Sequence, residues 1–235
     1  MQHFQAIFRE KIDSPSGLVS FVFFQPEETF VFDEGQFMMI THHNELRTLK
    51  KPYSIATTNK FLQEDKRIGF IVKKTSENGM SDFLTSQRDY TVTLTWPVGH
   101  YRDQHISENY LFVSTGSGLS PNMGILNKLL ETPLEGKQIV FLYGERYLDN
   151  LLPDMQALMQ EKIPGLTLNI FLSKESGLPD GYTTGYVQDG LRQALEKLGT
   201  NTACFICWQP VMVQDVQQRL LDLGVDKGNI TIEKY

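Results

Sequence analysis

A turn rich in glycine and hydroxyl residues follows the apolar stretch at residues 111–113. Its residues are Thr115, Gly116, Ser117 and Gly118. Glycine lets backbone N–H groups approach a phosphate where a strand passes into a helix, and Pro121 suits the first helical turn. Generic turns of this kind are common, so the turn alone is equally compatible with nucleotide binding and with a purely structural role. It is neither a P-loop nor a hydrolase nucleophile elbow, because Gly-Lys-Ser/Thr and G-x-S-x-G are both missing from it.

A second group of reactive side chains lies upstream on one short extended segment. It consists of Lys51, Pro52, Tyr53 and Ser54. A flavin nucleotide needs a cation for its pyrophosphate, an aromatic ring against its ring system or ribityl chain, and a hydroxyl near its redox-active nitrogen. The segment offers all three.

Gly79, Met80 and Ser81 introduce the one short helix that the first part of the chain predicts, at residues 81–88. Free N–H groups at a helix start, together with the Ser81 hydroxyl, could bind the same pyrophosphate. The simpler interpretation of these residues is a helix N-cap.

Cys204 and Cys207 form a C-x-x-C pattern inside an apolar stretch. Residues three apart on a strand point to opposite faces, so we expect neither a redox pair nor a metal site here. Two cysteines cannot hold an iron–sulfur cluster, which needs about four thiolates. Any iron–sulfur partner is therefore expected to be a separate protein.

The elements that must position these residues change character along the chain. Short β-rich segments separated by turns predict an antiparallel Greek-key β-barrel in the first part. The predicted strands are 4–12, 18–24, 30–40, 68–74 and 90–95.

The second part alternates strand and helix, which predicts a five-stranded parallel, doubly wound, Rossmann-like sheet. The predicted strands are 110–114, 138–143, 166–172, 203–207 and 230–233, and the helices are 121–131, 153–162, 187–198 and 211–223. We place the domain boundary in the polar stretch 102–108, giving domains 1–106 and 107–235.

Taken in order, these motifs resemble the ferredoxin–NADP reductase superfamily over essentially the whole chain. The R-x-Y-S/T and G-x-x-S/T motifs of its flavin domain are matched by Lys51, Tyr53, Ser54, Gly79, Met80 and Ser81. The G-x-G-x-x-P and G-x-R motifs of its nicotinamide domain are matched by Gly116, Gly118, Pro121, Gly144 and Arg146. The late C-G-x-P-x-M and E-x-aromatic motifs are matched by Cys207, Pro210, Met212, Glu233 and Tyr235.

The resemblance implies an FAD-dependent oxidoreductase that accepts hydride from NAD(P)H and releases electrons singly. In that scheme Ser54 hydrogen-bonds near the flavin N5, Cys207 lies beside the nicotinamide, and Glu233 helps to relay a proton. Tyr53 packs against the flavin. Tyr235 stacks on the isoalloxazine and yields to nicotinamide.

Two departures from the family pattern carry expectations of their own. Lys51 stands where the family has Arg, and a point charge grips a pyrophosphate less firmly than a bidentate guanidinium. Trp208 stands where the family has Gly, so its indole is expected to crowd the nicotinamide or to add a stacking surface.

The nucleotide preference depends on the residues at the adenine end. Ser173 and Lys174 resemble a segment that binds the 2′-phosphate, and Tyr186 and Gln188 resemble the Y-I-Q of NADP-dependent members. A cation and hydroxyls suit a phosphate better than a ribose diol, which favours NADP. NAD remains the alternative, because residues 185–187 also resemble NADH-using oxygenase reductases.

Composition limits the partners. Lys and Arg number 22 against 28 Asp and Glu, a net charge of −6, which is the wrong sign for nucleic-acid binding. Neither a membrane-length apolar run nor a secretory signal is recognisable, so the expected location is the cytoplasm. The resemblance favours a monomer or a simple homodimer.

The expected electron acceptor is a small redox protein, namely a ferredoxin, rubredoxin or flavodoxin. An acidic carrier would dock on a basic patch, for which Lys50, Lys51, Lys73 and Lys74 are the candidates. Two alternatives stay open: a flavin-bearing electron-transfer subunit that does not accept hydride, and a reductase of free flavin.

Overall fold

The fold is built on two six-stranded sheets, one antiparallel and one parallel. The structure is a computed structural model that describes residues 3–43, 47–75, 77–103, 107–134, 136–161 and 163–234.

The first sheet is antiparallel and curls into a barrel, as the sequence predicts. Its strands are β1 (His3–Asp13), β2 (Val19–Pro26), β3 (Phe37–His43), β4 (Thr48–Ser54), β5 (Ile68–Lys73) and β6 (Thr91–Thr95), in the order β4-β3-β6-β1-β2-β5. The edge strands β4 and β5 meet through a bridge between Ile55 and Phe70, which closes the sheet. Two short helices accompany the barrel, α1 (Asn59–Asp65) and α2 (Met80–Ser86).

Two features of the barrel differ from the sequence prediction. The strand expected at 30–40 begins only at Phe37, because the turn at residues 33–35 interrupts it. Phe30 and Phe32 are nevertheless buried, which is why their pattern imitates a strand. Helix α1 is not predicted at all, although Thr58 caps it by accepting a hydrogen bond from the Phe61 N–H.

The second sheet is parallel, with strand order β10-β9-β8-β7-β11-β12. Its strands are β7 (Asn109–Thr115), β8 (Gln138–Glu145), β9 (Leu166–Leu172), β10 (Tyr182–Thr184), β11 (Ala203–Trp208) and β12 (Ile230–Lys234). The helices α3 (Leu119–Leu130), α4 (Pro153–Gln160), α5 (Leu191–Leu198) and α6 (Pro210–Asp222) connect them. The doubly wound class is confirmed, and the three-residue β10 adds a sixth strand to the five predicted.

A hydrophobic core joins the two sheets. Phe21 and Phe23 of β2 and Ile71 of β5 belong to the same buried cluster as Phe112 of β7 and Phe205 of β11. We propose a boundary between residues 106 and 107, in the segment that connects β6 to β7, while the shared core holds the two units together.

The strand order of the parallel sheet sets the position of a ligand crevice. Strand β7 lies between β8 and β11 in the sheet. The strand order therefore reverses at β7: β8, β9 and β10 extend the sheet on one side, and β11 and β12 extend it on the other. In open parallel sheets, ligands bind at the carboxyl ends of the strands at such a point. The turn that follows β7 lies there.

Candidate functional site

Three of the predicted catalytic residues meet where the barrel contacts the parallel sheet. The Ser54 hydroxyl, at the end of β4, donates to Glu233 Oε2 at 3.2 Å. The Cys207 thiol lies 4.0 Å from the same oxygen. Glu233 is held beside Cys207 because β11 and β12 pair in that register. A hydroxyl, a thiol and a carboxylate therefore converge from two sheets.

Tyr101 extends this cluster, and sequence reasoning missed it. Its ring belongs to the core shared by the sheets, and its hydroxyl donates to Asn122 Oδ1 at 2.5 Å. Burial raises the pKa of Tyr101 well above its usual value, and the nearby Cys207 and Glu233 raise it further, while the bond to Asn122 acts in the opposite direction. Tyr101 therefore stays protonated at neutral pH.

Tyr53 carries a polar atom that the described residues leave unsatisfied. Its ring packs against the barrel core, and its buried hydroxyl has no hydrogen-bond partner among them. Burial raises the pKa of this phenol above its ordinary value. A buried hydroxyl without a partner costs free energy, so this atom suits a bound ligand with a polar group at that point. Lys51 and Pro52, just before it, are exposed.

Helix α2 begins at Met80, after Gly79 as its N-cap. Ser81 is buried, and its hydroxyl accepts a hydrogen bond from the Thr75 N–H at 3.3 Å. The Met80 side chain packs into the barrel core. Lys74 forms an ion pair with Asp82 at 2.7 Å, which lowers the pKa of that carboxyl.

The glycine turn packs directly against the end of β11. A Cβ on Gly118 would lie 2.4 Å from the Cys207 carbonyl oxygen, so only glycine fits. Gly116 adopts a φ of +55°, and a Cβ there would lie 3.0 Å from the indole of Trp208. Thr115 and Ser117 are partly exposed, and Pro121 is buried in the first turn of α3. Close packing against Trp208 and the Cys207 carbonyl explains why Gly116 and Gly118 are glycines.

Trp208 has an unusual backbone conformation, with φ at +155°. L-residues rarely adopt such a value, and glycine adopts it freely. This conformation gives a physical reason why the family that the sequence resembles has glycine at the position of Trp208. The indole of Trp208 lies against Gly116, in the glycine turn after β7.

Pro210 and Met212, the other two residues that match the C-G-x-P-x-M motif, lie on helix α6. Pro210 is exposed at the start of α6. Met212 packs against the core on the opposite side of the parallel sheet, among the residues beneath α5 and α6. Both residues lie in the first turn of α6, and their contact with a cofactor stays a prediction.

A buried ion pair next to the turn was also missed from the sequence. Lys73 Nζ donates to both carboxylate oxygens of Glu145 at 3.0 Å, and the Glu145 side chain is only 1% exposed. Tyr143 donates to Glu145 at 3.3 Å, and Asn150 donates at 3.4 Å. Lys73 Nζ also lies 3.4 Å from the position of a Cβ on Gly116. The pair thus joins β5 of the barrel to β8 beside the turn.

The predicted adenine-end residues are mostly solvent-exposed. Arg146 and Lys174 are exposed, and the Lys174 N–H donates to the Arg146 carbonyl at 2.9 Å, which brings the two cations to one edge. Ser173 is partly buried, and Tyr186 is 59% exposed. Gln188 lies close enough to Asp215 of α6 to help Arg219 lower the pKa of that carboxyl. Tyr235, the remaining predicted site residue, lies outside the described residues.

The two cysteines lie on opposite faces of the parallel sheet, as expected for a strand. Cys207 belongs to the core shared with the barrel, and Cys204 belongs to the core beneath α5 and α6. Burial raises the pKa of the Cys204 thiol to about 12, which makes it unreactive. Within the described ranges, His, Cys, Asp and Glu side chains form no group that could hold a metal ion. Over the same part of the chain, none of the helices is long and apolar enough to cross a membrane.

Comparison with known proteins identifies the fold and the family of its second half. Residues 112–218 match the oxidoreductase NAD-binding domain family. A ferredoxin–NADP⁺ reductase from Neisseria gonorrhoeae, solved with bound FAD and NADP, superposes with a TM-score of 0.81 at 18% identity, over 100% of this chain and 99% of that one. The chain therefore has the fold of that reductase.

Its sequence relatives are electron-transfer components. It is 28% identical over 180 residues to the toluate 1,2-dioxygenase electron transfer component of Pseudomonas putida, covering 74% of this chain and 52% of that protein. It is 26% identical to one component of the 1,2-phenylacetyl-CoA epoxidase of Escherichia coli, over 100% of this chain and 68% of that protein. The chain therefore spans about half the length of the first relative.

Proposed function

We propose that this chain binds FAD on β4 and α2, accepts hydride from NAD(P)H bound at the turn after β7, and passes electrons singly to a separate carrier. The observation that carries the proposal is the convergence of Ser54 and Cys207, from different sheets, on the carboxylate of Glu233. A flavin placed against Ser54 on the barrel side would face a nicotinamide placed against Cys207 on the other side.

The barrel residues fit FAD. The Tyr53 hydroxyl, which has no partner among the described residues, supplies a donor where a flavin nucleotide would contact the strand, and the exposed Lys51 supplies a cation near its pyrophosphate. When bound, FAD supplies the exchange between two-electron and one-electron transfer. Ser54 and Glu233 hold and move a proton at their shared hydrogen bond.

For the nucleotide we propose NADPH over NADH. The support is the pair of exposed cations Arg146 and Lys174 at one edge, close to the Ser173 hydroxyl. Such a group attracts a phosphate monoester more than a ribose diol. Both Gly116 and the ammonium of Lys73 lie further along the same edge, where the rest of a dinucleotide would extend.

The proposed acceptor is a separate small redox protein such as a ferredoxin, rubredoxin or flavodoxin. Of the four lysines expected to attract it, Lys73 and Lys74 are engaged in ion pairs with Glu145 and Asp82. Lys50 and Lys51 on β4 are exposed and remain the candidates for docking.

An anaerobic titration of the FAD-loaded protein with NADPH and with NADH tests the proposal. We expect the flavin absorption bands to bleach with both nucleotides and at lower concentration with NADPH. Bleaching by dithionite but by neither nucleotide would reject the hydride step.

One observation favours a second function, that of a flavin protein that transfers electrons without accepting hydride. The indole of Trp208 covers the turn at Gly116, where the nicotinamide half of a nucleotide would approach. Trp208→Gly distinguishes the two functions, with Trp96→Phe in the barrel as the matched control for loss of an indole. A gain of about a hundredfold or more in reduction by NADPH supports the covered, hydride-inactive protein. An unchanged or lower rate means that the indole belongs to a working site.

A further inference from the structure

The edge strands of the barrel close along a short seam. Ile55 and Phe70 form an antiparallel bridge, and the Ala56 N–H donates to the Gly69 carbonyl at 2.9 Å. In this register the next opposed pair is Ser54 and Ile71, because antiparallel partners move apart by one residue on each strand. We call Ser54, Ile55, Phe70 and Ile71 the barrel seam.

A side chain from the parallel sheet's first helix completes this seam. The Ser120 hydroxyl donates to the Ser54 carbonyl at 2.6 Å and accepts from the Ile71 N–H at 3.2 Å. The Ser120 hydroxyl therefore lies between the Ser54 carbonyl and the Ile71 N–H. In an uninterrupted β-ladder, these two groups would hydrogen-bond directly to each other and extend the ladder by one pair. Ser120 is 2% exposed, so losing its hydroxyl would leave a buried carbonyl and a buried N–H without their partner.

Gly124 brings the same face of α3 against the barrel backbone. It lies one helical turn after Ser120, on the same side of the helix. A Cβ at Gly124 would lie 3.0 Å from the Ile55 carbonyl oxygen and 3.6 Å from the Thr57 carbonyl oxygen. Helix α3 is thus fixed to the strand segment that carries Ser54.

These contacts link the glycine turn after β7 to Ser54. Gly118, immediately before α3, packs on the Cys207 carbonyl, and Ser120 holds the Ser54 carbonyl two residues later. The Ser54 hydroxyl then reaches Glu233. One short stretch of chain therefore sets the separation between Cys207 and Ser54.

We propose that Ser120 is a positioning residue that holds Ser54 in line with Glu233 and with a bound flavin. This proposal rests on the proposed function and adds a positioning residue to the proposed site. Ser120 acts through Ser54 and touches neither reacting partner itself.

Amide hydrogen exchange of the FAD-free protein tests the seam directly. In Ser120→Ala the Ile71 amide should exchange about tenfold faster, while Ser120→Thr, which keeps the hydroxyl, should retain its protection. Ser20→Ala is the matched control, because it removes a buried barrel hydroxyl that makes a 2.6 Å bond to Asp13, away from the seam. Unchanged exchange at Ile71 in Ser120→Ala would overturn the proposal. If Ser120→Ala does not fold, Ser120→Cys keeps the volume and gives the same readout.

A double-mutant cycle with Ser54→Ala tests the positioning role. We expect Ser120→Ala to slow single-turnover flavin reduction about tenfold, with KM for the nucleotide little changed and Ser120→Thr restoring the rate. In the Ser54→Ala background the same substitution should have almost no further effect. Equal effects in both backgrounds would mean a general structural role and would overturn the proposal.

The midpoint potential of bound FAD separates this proposal from the proposed function. Ser120→Ala should shift the potential in the direction of Ser54→Ala, and the two shifts should not add. If the wild-type protein binds FAD but is not reduced by nicotinamide, the hydride function fails while the potentials still decide the role of Ser120. If the wild-type protein binds no FAD, both proposals fail.

Discussion

The two ends of the crevice are built differently. At the barrel end, Ser54, Cys207 and Glu233 are held by strand register, hydrogen bonds and a core shared by both sheets. At the adenine end, Lys174 and Tyr186 are exposed side chains on loops. Under the proposed function, chemistry and stability are therefore coupled at the first end, whereas nucleotide preference can change at the second with little effect on the fold. The predictions below separate the two ends.

Glu233→Ala should have the largest effect. It removes the carboxylate on which the Ser54 hydroxyl and the Cys207 thiol converge, so we expect flavin reduction to slow about a hundredfold. Stopped-flow absorbance with NADPH measures this rate. Glu196→Ala, on the exposed face of α5, is the control and should leave the rate unchanged. An unaffected Glu233→Ala would remove the carboxylate from the mechanism.

Lys73→Met should cause the largest loss of stability. It leaves the Glu145 carboxylate buried without its cation, which costs about 3–5 kcal/mol. Urea unfolding of the FAD-free protein measures the loss. Arg219→Met, which breaks an exposed pair with Asp215 on α6, should cost about 0.5 kcal/mol or less. Similar losses in the two variants would show that the buried pair has no special role.

Tyr143 should make the protein sensitive to alkali. Burial raises its pKa well above the usual value, and the adjacent Glu145 carboxylate raises it further. The folded state therefore keeps a proton that the unfolded state loses, so this stabilisation is complete below about pH 10 and is lost as the pH rises beyond it. Tyr143→Phe should flatten the fall in unfolding free energy between about pH 9 and pH 11. Tyr147→Phe, an exposed control, should leave the slope as it is.

Lys174→Ala should have the smallest effect, confined to nucleotide choice. Loss of one exposed cation beside a phosphate corresponds to about 1 kcal/mol, or roughly fivefold in kcat/KM for NADPH. The value for NADH and the unfolding free energy should not change. Lys227→Ala, another exposed lysine, is the control. An equal loss with NADH would argue against a 2′-phosphate contact.

Local patterns predicted the fold class because each sheet has its own period. Alternating burial in β1 and apolar strands alternating with helices in the second part are both visible in the sequence. The errors have local causes as well. Buried Phe30 and Phe32 outside a strand resemble a strand, and the three residues of β10 are too few to show any period.

The site was predictable only where a motif is continuous in sequence. Lys51, Tyr53 and Ser54 lie together, and so do Gly116 and Gly118. The pair of Lys73 with Glu145, and the contact of Ser120 with Ser54, join residues that are 72 and 66 positions apart. No local pattern marks such pairs, so Lys73 was interpreted as a surface charge. They exist because the sheets pack together.

The Ser120 side chain lies between β4 and β5, and this position has a consequence for protein engineering. The barrel's closure depends on an atom supplied by the other half of the chain. A chimera that exchanges the nucleotide-binding half must therefore bring a hydroxyl at this position and a glycine one turn later. A chimera that matches only the domain boundary would join the barrel to a helix without this hydroxyl and glycine, and that helix could not complete the barrel.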